Sequence, residues 1–215
     1  MTMANRPRRA KGSTAGLRAT AACSLAVGLL LLGAACSVER QAEPPDLPAP
    51  LVKRIPLKIG VHYTPGFREA RQTSGRRPWK VGDASVALFD ATLENLFAEV
   101  VHVDPWPSGD KAPALAAVIV PEVLGIDLGA GQVSIRYAVE LFSTRGERIT
   151  GWKIEGQWTT PPGPPISLWA ALGAEQANMR HAMRAAGAAL VESFYSDPTA
   201  RAWLEANGVA PDSLK

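Results

Sequence analysis

The feature that most constrains the fold is a pair of alternating segments joined by a short turn. Apolar and polar residues alternate from Gln132 to Ser143, and the alternation resumes from Arg148 to Thr160. Such alternation places apolar side chains on one face of a strand and polar side chains on the other. Between the two segments, Gly146 stands where a hairpin turn favours a positive φ. These residues predict a β-hairpin in an antiparallel sheet with one solvated face.

Segments with the apolar spacing of a helix precede and follow this hairpin in the sequence. Apolar residues recur at intervals of three and four after Asp83, a predicted N-cap, and again after Ser167, which predicts two main helices. Asp197 followed by Pro198 is the favoured start of a further short helix. Additional strands are predicted at Leu57–Tyr63, Val100–Val103 and Leu115–Leu128. The predicted order is β-α-β-β-β-β-α-α, an α+β fold with an antiparallel or mixed sheet packed on one face by two main helices.

The N-terminal segment has the three zones of a secretory signal. Residues 1–18 carry five basic residues and no acid, residues 19–32 are small and apolar, and the triplet Gly33-Ala34-Ala35 precedes Cys36. The apolar zone is shorter than the roughly 20 residues that a membrane-spanning helix needs. We therefore expect residues 1–35 to be a signal peptide that is removed.

The small triplet before Cys36 resembles the bacterial lipoprotein lipobox, with Leu32 one position before the usual place of the leucine. The resemblance implies cleavage before Cys36, a diacylglycerol on its thiol, and an acyl chain such as palmitate on its new amino group. Ser37, where Asp often implies retention in the inner membrane, implies an anchor in the outer membrane with the domain on the periplasmic side. The alternative is an ordinary secretory signal followed by a chance cysteine.

Removing the signal changes the charge and the cysteine content. Residues 36–215 hold 18 Lys and Arg against 20 Asp and Glu, because five of the 23 basic residues belong to the signal. A mildly acidic domain argues against nucleic acid as a partner. Cys36 is the single cysteine left, which excludes an internal disulfide and a cysteine-based metal site. We expect no metal and no cofactor beyond the acyl groups on Cys36.

The remaining chain is predicted to have two parts. Residues 36–54 contain a proline-rich run from Glu43 to Pro50, which favours extended conformations without a hydrogen-bonded element. We expect residues 36–54 to be the lipidated N-terminus and a tether that lifts the domain off the bilayer. Residues 55–215 are long enough for a single α+β domain with its own core.

A basic stretch from Arg68 to Lys80 is the most suggestive candidate for a contact surface. It is predicted to be a long exposed loop, and its candidate contact residues are Arg68, Arg71, Arg76, Arg77, Trp79 and Lys80. Cations beside an aromatic ring suit lipid headgroups, peptidoglycan carboxylates or an acidic partner. A solvated loop without a specific partner is the alternative.

The polar residues suited to catalysis are scattered along the chain. They are the carboxylates Asp90 and Glu94, four residues apart on one predicted helix, the histidines His62, His102 and His181, and Ser85. The histidines have no metal-ligand spacing, and Ser85 is not in a nucleophile elbow. His62 and His102 lie in predicted strands that can approach each other, but ordinary packing explains them as well. We expect that the protein is not an enzyme, because no nucleophile–base pattern is visible.

Three segments resemble uncharacterised proteobacterial envelope lipoproteins: Ile59–Phe67, Gly82–Phe89 and Ser196–Pro198. The element order is also similar to that of the lipoprotein cofactors of peptidoglycan synthases, the curli secretion lipoprotein and the lipopolysaccharide-assembly lipoprotein. This second resemblance implies an accessory protein or adaptor that docks to a larger envelope assembly or transport system. The docking surface is expected to be an exposed strand or the basic stretch.

The alternative function is a lipid- or glycan-binding module with a groove between the sheet and the C-terminal helix. Trp152, Trp158 and Trp169 either line such a groove or pack into the core. A pocket lined by Trp152 and Trp158 favours the binding module. A continuous packed core with an exposed strand edge favours the adaptor.

Overall fold

The computed structural model describes residues 39–47, 53–72, 78–107, 114–129, 131–161, 163 and 168–210. All of these belong to the unit that runs from Glu39 to Lys215. In chain order the elements are β1 (Arg40–Gln41), β2 (Ile55–Val61), α1 (Pro65–Arg68), β3 (Arg71–Gln72), β4 (Trp79–Lys80), α2 (Gly82–Leu96), β5 (Phe97–His102), β6 (Ala117–Gly129), β7 (Gln132–Phe142), β8 (Arg148–Thr159), α3 (Leu168–Ser196) and α4 (Pro198–Ala206). Cys36 and the predicted signal lie outside the described residues.

A five-stranded mixed sheet forms the centre of the fold. Its strand order is β5-β2-β6-β7-β8, and a small second sheet has the order β1-β4-β3. In the large sheet, β2 pairs in parallel with β5 and β6, whereas β6, β7 and β8 are antiparallel. The parallel pairing of β2 with β5 needs a crossover, which α2 supplies. The predicted α+β fold class and mixed sheet are confirmed.

The hairpin of β7 and β8 has the alternation that its sequence predicts. Ile135 lies opposite Gly156 and Val139 lies opposite Trp152. One face of β7 is buried in the core, and its members are Val133, Ile135, Tyr137, Val139 and Leu141. Gly146 in the turn has a φ of 84°. The hairpin therefore presents one apolar face to the helices and one polar face to solvent.

The two longer helices cover the same core. Both bury their apolar stripes, which include Leu88, Phe89 and Leu93 of α2 and Met183, Leu190 and Phe194 of α3. α3 crosses β8 at Gly156, where a Cβ would lie on the Ala182 carbonyl oxygen and 2.5 Å from the Ala186 nitrogen. Within the described part of the chain, no helix is both long and apolar enough to cross a membrane.

The first long helix has different ends from the predicted ones. α2 begins at Gly82 with Val81 as N-cap, and Asp83 lies in its first turn without making a side-chain cap. The helix ends at Leu96, and the chain enters β5 at Phe97. The apolar spacing continues through Phe97 to Val100 because strand residues there also face the core, so spacing alone extends the predicted helix too far.

The described part of the predicted tether packs on the domain. β1 pairs in parallel with β4, and Ala42 is only 2% exposed. The N–H of Arg40 donates to the Pro78 carbonyl at 3.0 Å, and the N–H of Ala42 donates to the Lys80 carbonyl at 2.9 Å. The backbone N–H groups of an extended chain have no partners within that chain, so they can donate to the carbonyls of a neighbouring segment. Residues 39–47 are therefore not the free spacer that the prolines indicate.

The basic stretch contains short elements where a long exposed loop is predicted. Thr64 caps α1 by accepting a hydrogen bond from the N–H of Phe67 at 3.1 Å. Phe67 and Trp79 are each only 2% exposed. The Phe67 ring stacks on Tyr63 with centroids 5.3 Å apart and meets Phe89 edge-on at 5.6 Å. Elements of two to four residues are too short to show a period in the sequence. The prediction of a loop without secondary structure is wrong for the described residues, and so is the expected exposure of Phe67 and Trp79, whereas Arg68 and Arg71 are exposed as predicted.

Candidate functional site

The described cations of the basic stretch each have a partner. Arg68 lies 5.6 Å from the centroid of the Tyr63 ring, Arg71 lies 3.7 Å from Glu39, and Lys80 lies 3.8 Å from Asp83. Trp79 is buried, so its ring does not form part of a contact surface. Arg76 and Arg77 lie outside the described residues. Contact through Arg68, Arg71 and Lys80 stays a prediction, because these pairs are partly solvated and can exchange partners.

A polar cluster joins the ends of β2 and β5 to α2. The hydroxyl of Tyr63 donates to Asp90 Oδ1 at 2.7 Å, and Nε2 of His102 lies 2.8 Å from the same oxygen. The Tyr63 and His102 rings also meet edge-on with centroids 5.4 Å apart. The structure thus brings together two of the predicted polar residues, Asp90 and His102, and adds Tyr63.

The electrostatics of this cluster keep the tyrosine protonated. Burial raises the pKa of Tyr63 well above its usual value, the hydrogen bond to Asp90 raises it further, and the Arg68 guanidinium only partly opposes this. A phenol with a raised pKa holds its proton near neutral pH and cannot act as a base. Within the described residues, no group of three or more His, Cys, Asp or Glu side chains is placed to hold a metal ion. Through Asp90, the cluster joins α2 to the ends of β2 and β5, and these three residues (Tyr63, Asp90 and His102) are called the Tyr63 clamp below.

Of the other predicted polar residues, Glu94 lies close enough to Tyr63 to raise its pKa slightly, whereas the contacts of His62, Ser85 and His181 are made elsewhere. Nδ1 of His62 lies 2.8 Å from the Val103 carbonyl oxygen. Ser85 is fully buried, and its hydroxyl lies 3.0 Å from that of Tyr137. His181 stacks on Trp158 with ring centroids 4.2 Å apart. Each of these contacts is local packing or hydrogen bonding.

Two of the three candidate tryptophans pack against helices. The Trp152 ring lies 5.4 Å from that of Phe194, and its indole N–H donates to Asp197 Oδ2 at 2.8 Å. Trp158 packs against the core and stacks on His181. The side chain of Trp169 lies outside the described residues. Trp152 and Trp158 thus occupy the space between sheet and helix that a ligand would need.

A groove is found elsewhere, between the basic stretch and the last part of β6. Its volume is about 330 Å³, and it is lined by Gly66, Ala70, Arg71, Gln72, Val123, Leu124, Gly125 and Ile126. Arg71 supplies a cation on one side, and the β6 residues supply an apolar wall on the other. The groove therefore combines an apolar surface with a positive charge.

A further candidate surface is the outer edge of β8, which is the longer of the two edge strands of the five-stranded sheet. Among the described strands, β8 pairs with β7 alone and ends the sheet. The N–H of Thr160 donates to the Gly131 carbonyl at 2.7 Å. In an antiparallel strand, the backbone groups of successive residues point alternately toward and away from the neighbouring strand. Because Thr160 bonds toward β7, the register places the N–H and C=O groups of Lys153, Glu155 and Gln157 on the outer edge. The edge can accept an added strand.

Sequence reasoning misses the Tyr63 clamp because nothing local marks it. Tyr63, Asp90 and His102 are far apart in the chain, and only the pairing of β2 with β5 and the packing of α2 bring them together. Asp90 and Glu94 lie on one helix, yet the hydrogen bonds of Asp90 go to Tyr63 and His102. The spacing of carboxylates on the helix therefore identifies Asp90, but it pairs Asp90 with Glu94 instead of with Tyr63 and His102.

Comparison with known proteins finds similarity in solved structures only. No family model and no curated protein matches the chain. A Xanthomonas campestris protein of family DUF330 is 10% identical, with 74% of this chain and 99% of that chain covered and a TM-score of 0.45. A hypothetical protein from Chlamydia trachomatis is 13% identical, with 65% and 97% covered and a TM-score of 0.42. A minor lipoprotein from Acinetobacter baumannii is 11% identical, with 66% and 92% covered and a TM-score of 0.39. At TM-scores this low, the similarities assign neither a family nor an activity.

Proposed function

We propose that this chain is a lipoprotein anchored in the outer membrane through Cys36, on the periplasmic side. It acts without catalysis, as an adaptor for an envelope assembly or transport system. The three signal zones and the small triplet before Cys36 support the anchor. The partner is an envelope protein that adds an extended segment to the outer edge of β8.

The observation that carries this proposal is the free edge of β8. The strand runs from Arg148 to Thr159, and in its middle the backbone groups that point away from β7 have no backbone partner among the described residues. Main-chain hydrogen bonds supply affinity in strand addition, and the neighbouring side chains supply specificity. Lys153 and Glu155 are both exposed and lie two residues apart on the open face of the sheet. They favour a partner strand with the complementary order of charges.

The alternative of a lipid or glycan between the sheet and the C-terminal helix has less support. Trp152 and Trp158 would line that groove, and both are packed against α3 or the turn that follows it. The phenol of the Tyr63 clamp is not available as a base, because burial and the hydrogen bond to Asp90 raise its pKa. A packed core and a free strand edge fit an adaptor better than a ligand-binding module.

The edge is tested with two substitutions at one outward position. Lys153→Pro removes an outward N–H and no bond of the β7 ladder, whereas Lys153→Ala keeps the N–H and removes only the charge. After crosslinking in cells, the full-length Pro variant is expected to lose the partner that the wild type retains, and the Ala variant to keep it. Mass spectrometry identifies what co-purifies.

Two results count against the adaptor. One is equal recovery of the partner by the Pro and Ala variants, which would show that the edge is not used. The other is recovery of the wild type alone with a bound lipid. A thermal unfolding curve checks that Lys153→Pro still folds, and Gln157→Pro, at another outward position, is the second variant if it does not.

A further inference from the structure

The N-terminal segment lies along α3 as a strap, defined here as residues 39–47. Residues later in the strap contact residues later in α3. Arg40 pairs with Glu175, and the Gln41 carbonyl accepts from Gln176 Nε2 at 3.3 Å. Further along, Glu43 lies 3.3 Å from Arg180, and Leu47 lies 3.7 Å from the position that a Cβ would take at Gly187. Tyr195 continues the series, because its hydroxyl donates to the Lys53 carbonyl at 3.4 Å. The strap therefore runs parallel to α3 and begins beside the N-terminal part of that helix.

The strap leaves little free chain before it. Three residues separate Cys36 from Arg40. An extended chain spans at most about 3.5 Å per residue, so Cys36 is tied within about 14 Å of Arg40. A free tether over residues 36–54 would allow several times that reach. An anchor on Cys36 must therefore hold the Arg40 end of the domain close to the membrane.

The turn between β6 and β7 lies at this same end of the molecule. Asn178, one helical turn from Glu175, donates to Thr160 Oγ1 at 2.7 Å. Thr160 in turn donates its N–H to the carbonyl of Gly131, in the turn that follows β6. The start of the strap, the N-terminal part of α3 and the β6–β7 turn are thus neighbours.

The last part of β6 also carries exposed apolar side chains. Leu124 is 45% exposed and Leu128 is 37% exposed, and these are the large exposed hydrophobic residues of the described chain. The register of β6 against β7 shifts between Val123 and Gly125, so Leu124 is the extra residue of a bulge. Arg71, itself exposed, lies across the groove from Leu124. Apolar side chains beside a cation suit the boundary between lipid headgroups and acyl chains.

We propose that this end of the domain, with Leu124, Leu128 and Arg71, lies against the phospholipid bilayer that holds the anchor. Because this placement rests on the proposed lipidation of Cys36, it extends the proposed function. The leucines enter the headgroup boundary, and Arg71 binds a lipid phosphate. The domain is then held against the membrane by the strap, and the turn between β7 and β8 points away from it. The edge of β8 stays open to a partner on the periplasmic side.

The test uses single thiols in the lipidated full-length protein. Acylation of Cys36 leaves the mature chain without a free thiol, so an introduced cysteine is the unique labelling position. Leu128→Cys places a fluorophore at the proposed contact. Arg145→Cys places it in the β7–β8 turn, at the other end of β7 and about 35 Å away along the strand. Both proteins are reconstituted in vesicles of phosphatidylethanolamine and phosphatidylglycerol that contain lipids with a nitroxide on the acyl chain.

The expected result is fluorescence quenched several-fold more at position 128 than at position 145. Equal quenching at the two positions, stronger quenching at 145, or no quenching at either position overturns the membrane contact while leaving the anchor intact. The wild type is the control for the anchor. If it takes up the thiol label, Cys36 is not acylated, and both the proposed anchor and the membrane contact are overturned.

Discussion

At the end of α3, the single carboxylate of Asp197 joins a helix start to the sheet. Its Oδ1 accepts from the N–H groups of Thr199 at 2.6 Å and Ala200 at 3.1 Å. Its Oδ2 accepts from the Thr150 hydroxyl at 2.9 Å and the Trp152 indole at 2.8 Å. Desolvation by itself raises the pKa of Asp197, but these four hydrogen bonds favour the ionised form and together hold the pKa below its ordinary value.

Asp197→Ala is expected to lower the free energy of unfolding at neutral pH by about 1–2 kcal/mol, because the cap of α4 and the bonds to β8 are lost. Asp197→Asn keeps an oxygen that can cap the helix and should lose less. A pKa lowered by folding contributes stability above the unfolded value of about 4, and this stability is lost as the pH falls through the folded value. Urea unfolding followed by circular dichroism, at pH 7 and in acid, measures both effects. An equally steep acid loss in the wild type and Asp197→Asn would contradict this role.

At the scale of elements, the packing of α3 on β8 depends on a residue without a side chain. A Cβ at Gly156 would overlap the helix backbone at Ala182. Gly156→Ala is expected to cost about 3 kcal/mol or more, because neither backbone can move without disturbing the core. Gly173→Ala, within α3, is the matched control, since a Cβ there would meet no atom within 4 Å. It should raise stability by up to about 1 kcal/mol. Chemical unfolding measures both variants, and similar stabilities for the two would show that α3 adjusts freely.

At the scale of the whole molecule, the strap decides how far the domain can move from its anchor. Ala42, like Pro45, is a buried residue of the strap. Ala42→Asp places a charge there, which should detach the strap because an unpaired buried charge is costly. Limited proteolysis with mass spectrometry should then cut within residues 39–53 several-fold faster than in the wild type, while the sheet stays protected.

Glu43→Ala is the control for the strap, because it removes one exposed pair with Arg180 and leaves Ala42 buried. An exposed ion pair contributes about 0–1 kcal/mol, so its cleavage rate should stay close to that of the wild type. Equal protection of Ala42→Asp and the wild type would contradict a docked strap.

Much of the fold follows from sequence patterns that are local. The alternation of β7 and β8, the turn at Gly146 and the Asp197–Pro198 helix start are all present in the structure. The candidate sites are less predictable. The Tyr63 clamp joins residues from three elements, and the burial of Phe67 and Trp79 depends on aromatic contacts with α2 and β7 and on a small sheet of two-residue strands. These features need tertiary contacts that no local spacing encodes.

The sequence by itself determined the fold class, the main strands and helices, and the predicted anchor at Cys36. These depend on periodicity, turn residues and charge, which act over a few residues. Only the tertiary structure decided that residues 39–47 dock on α3, that Trp152 and Trp158 fill the space a ligand would need, and that β8 ends the sheet. An extended proline-rich chain has the same local conformation whether it is free or packed, so its position depends on a surface that exists only after the rest of the chain has folded.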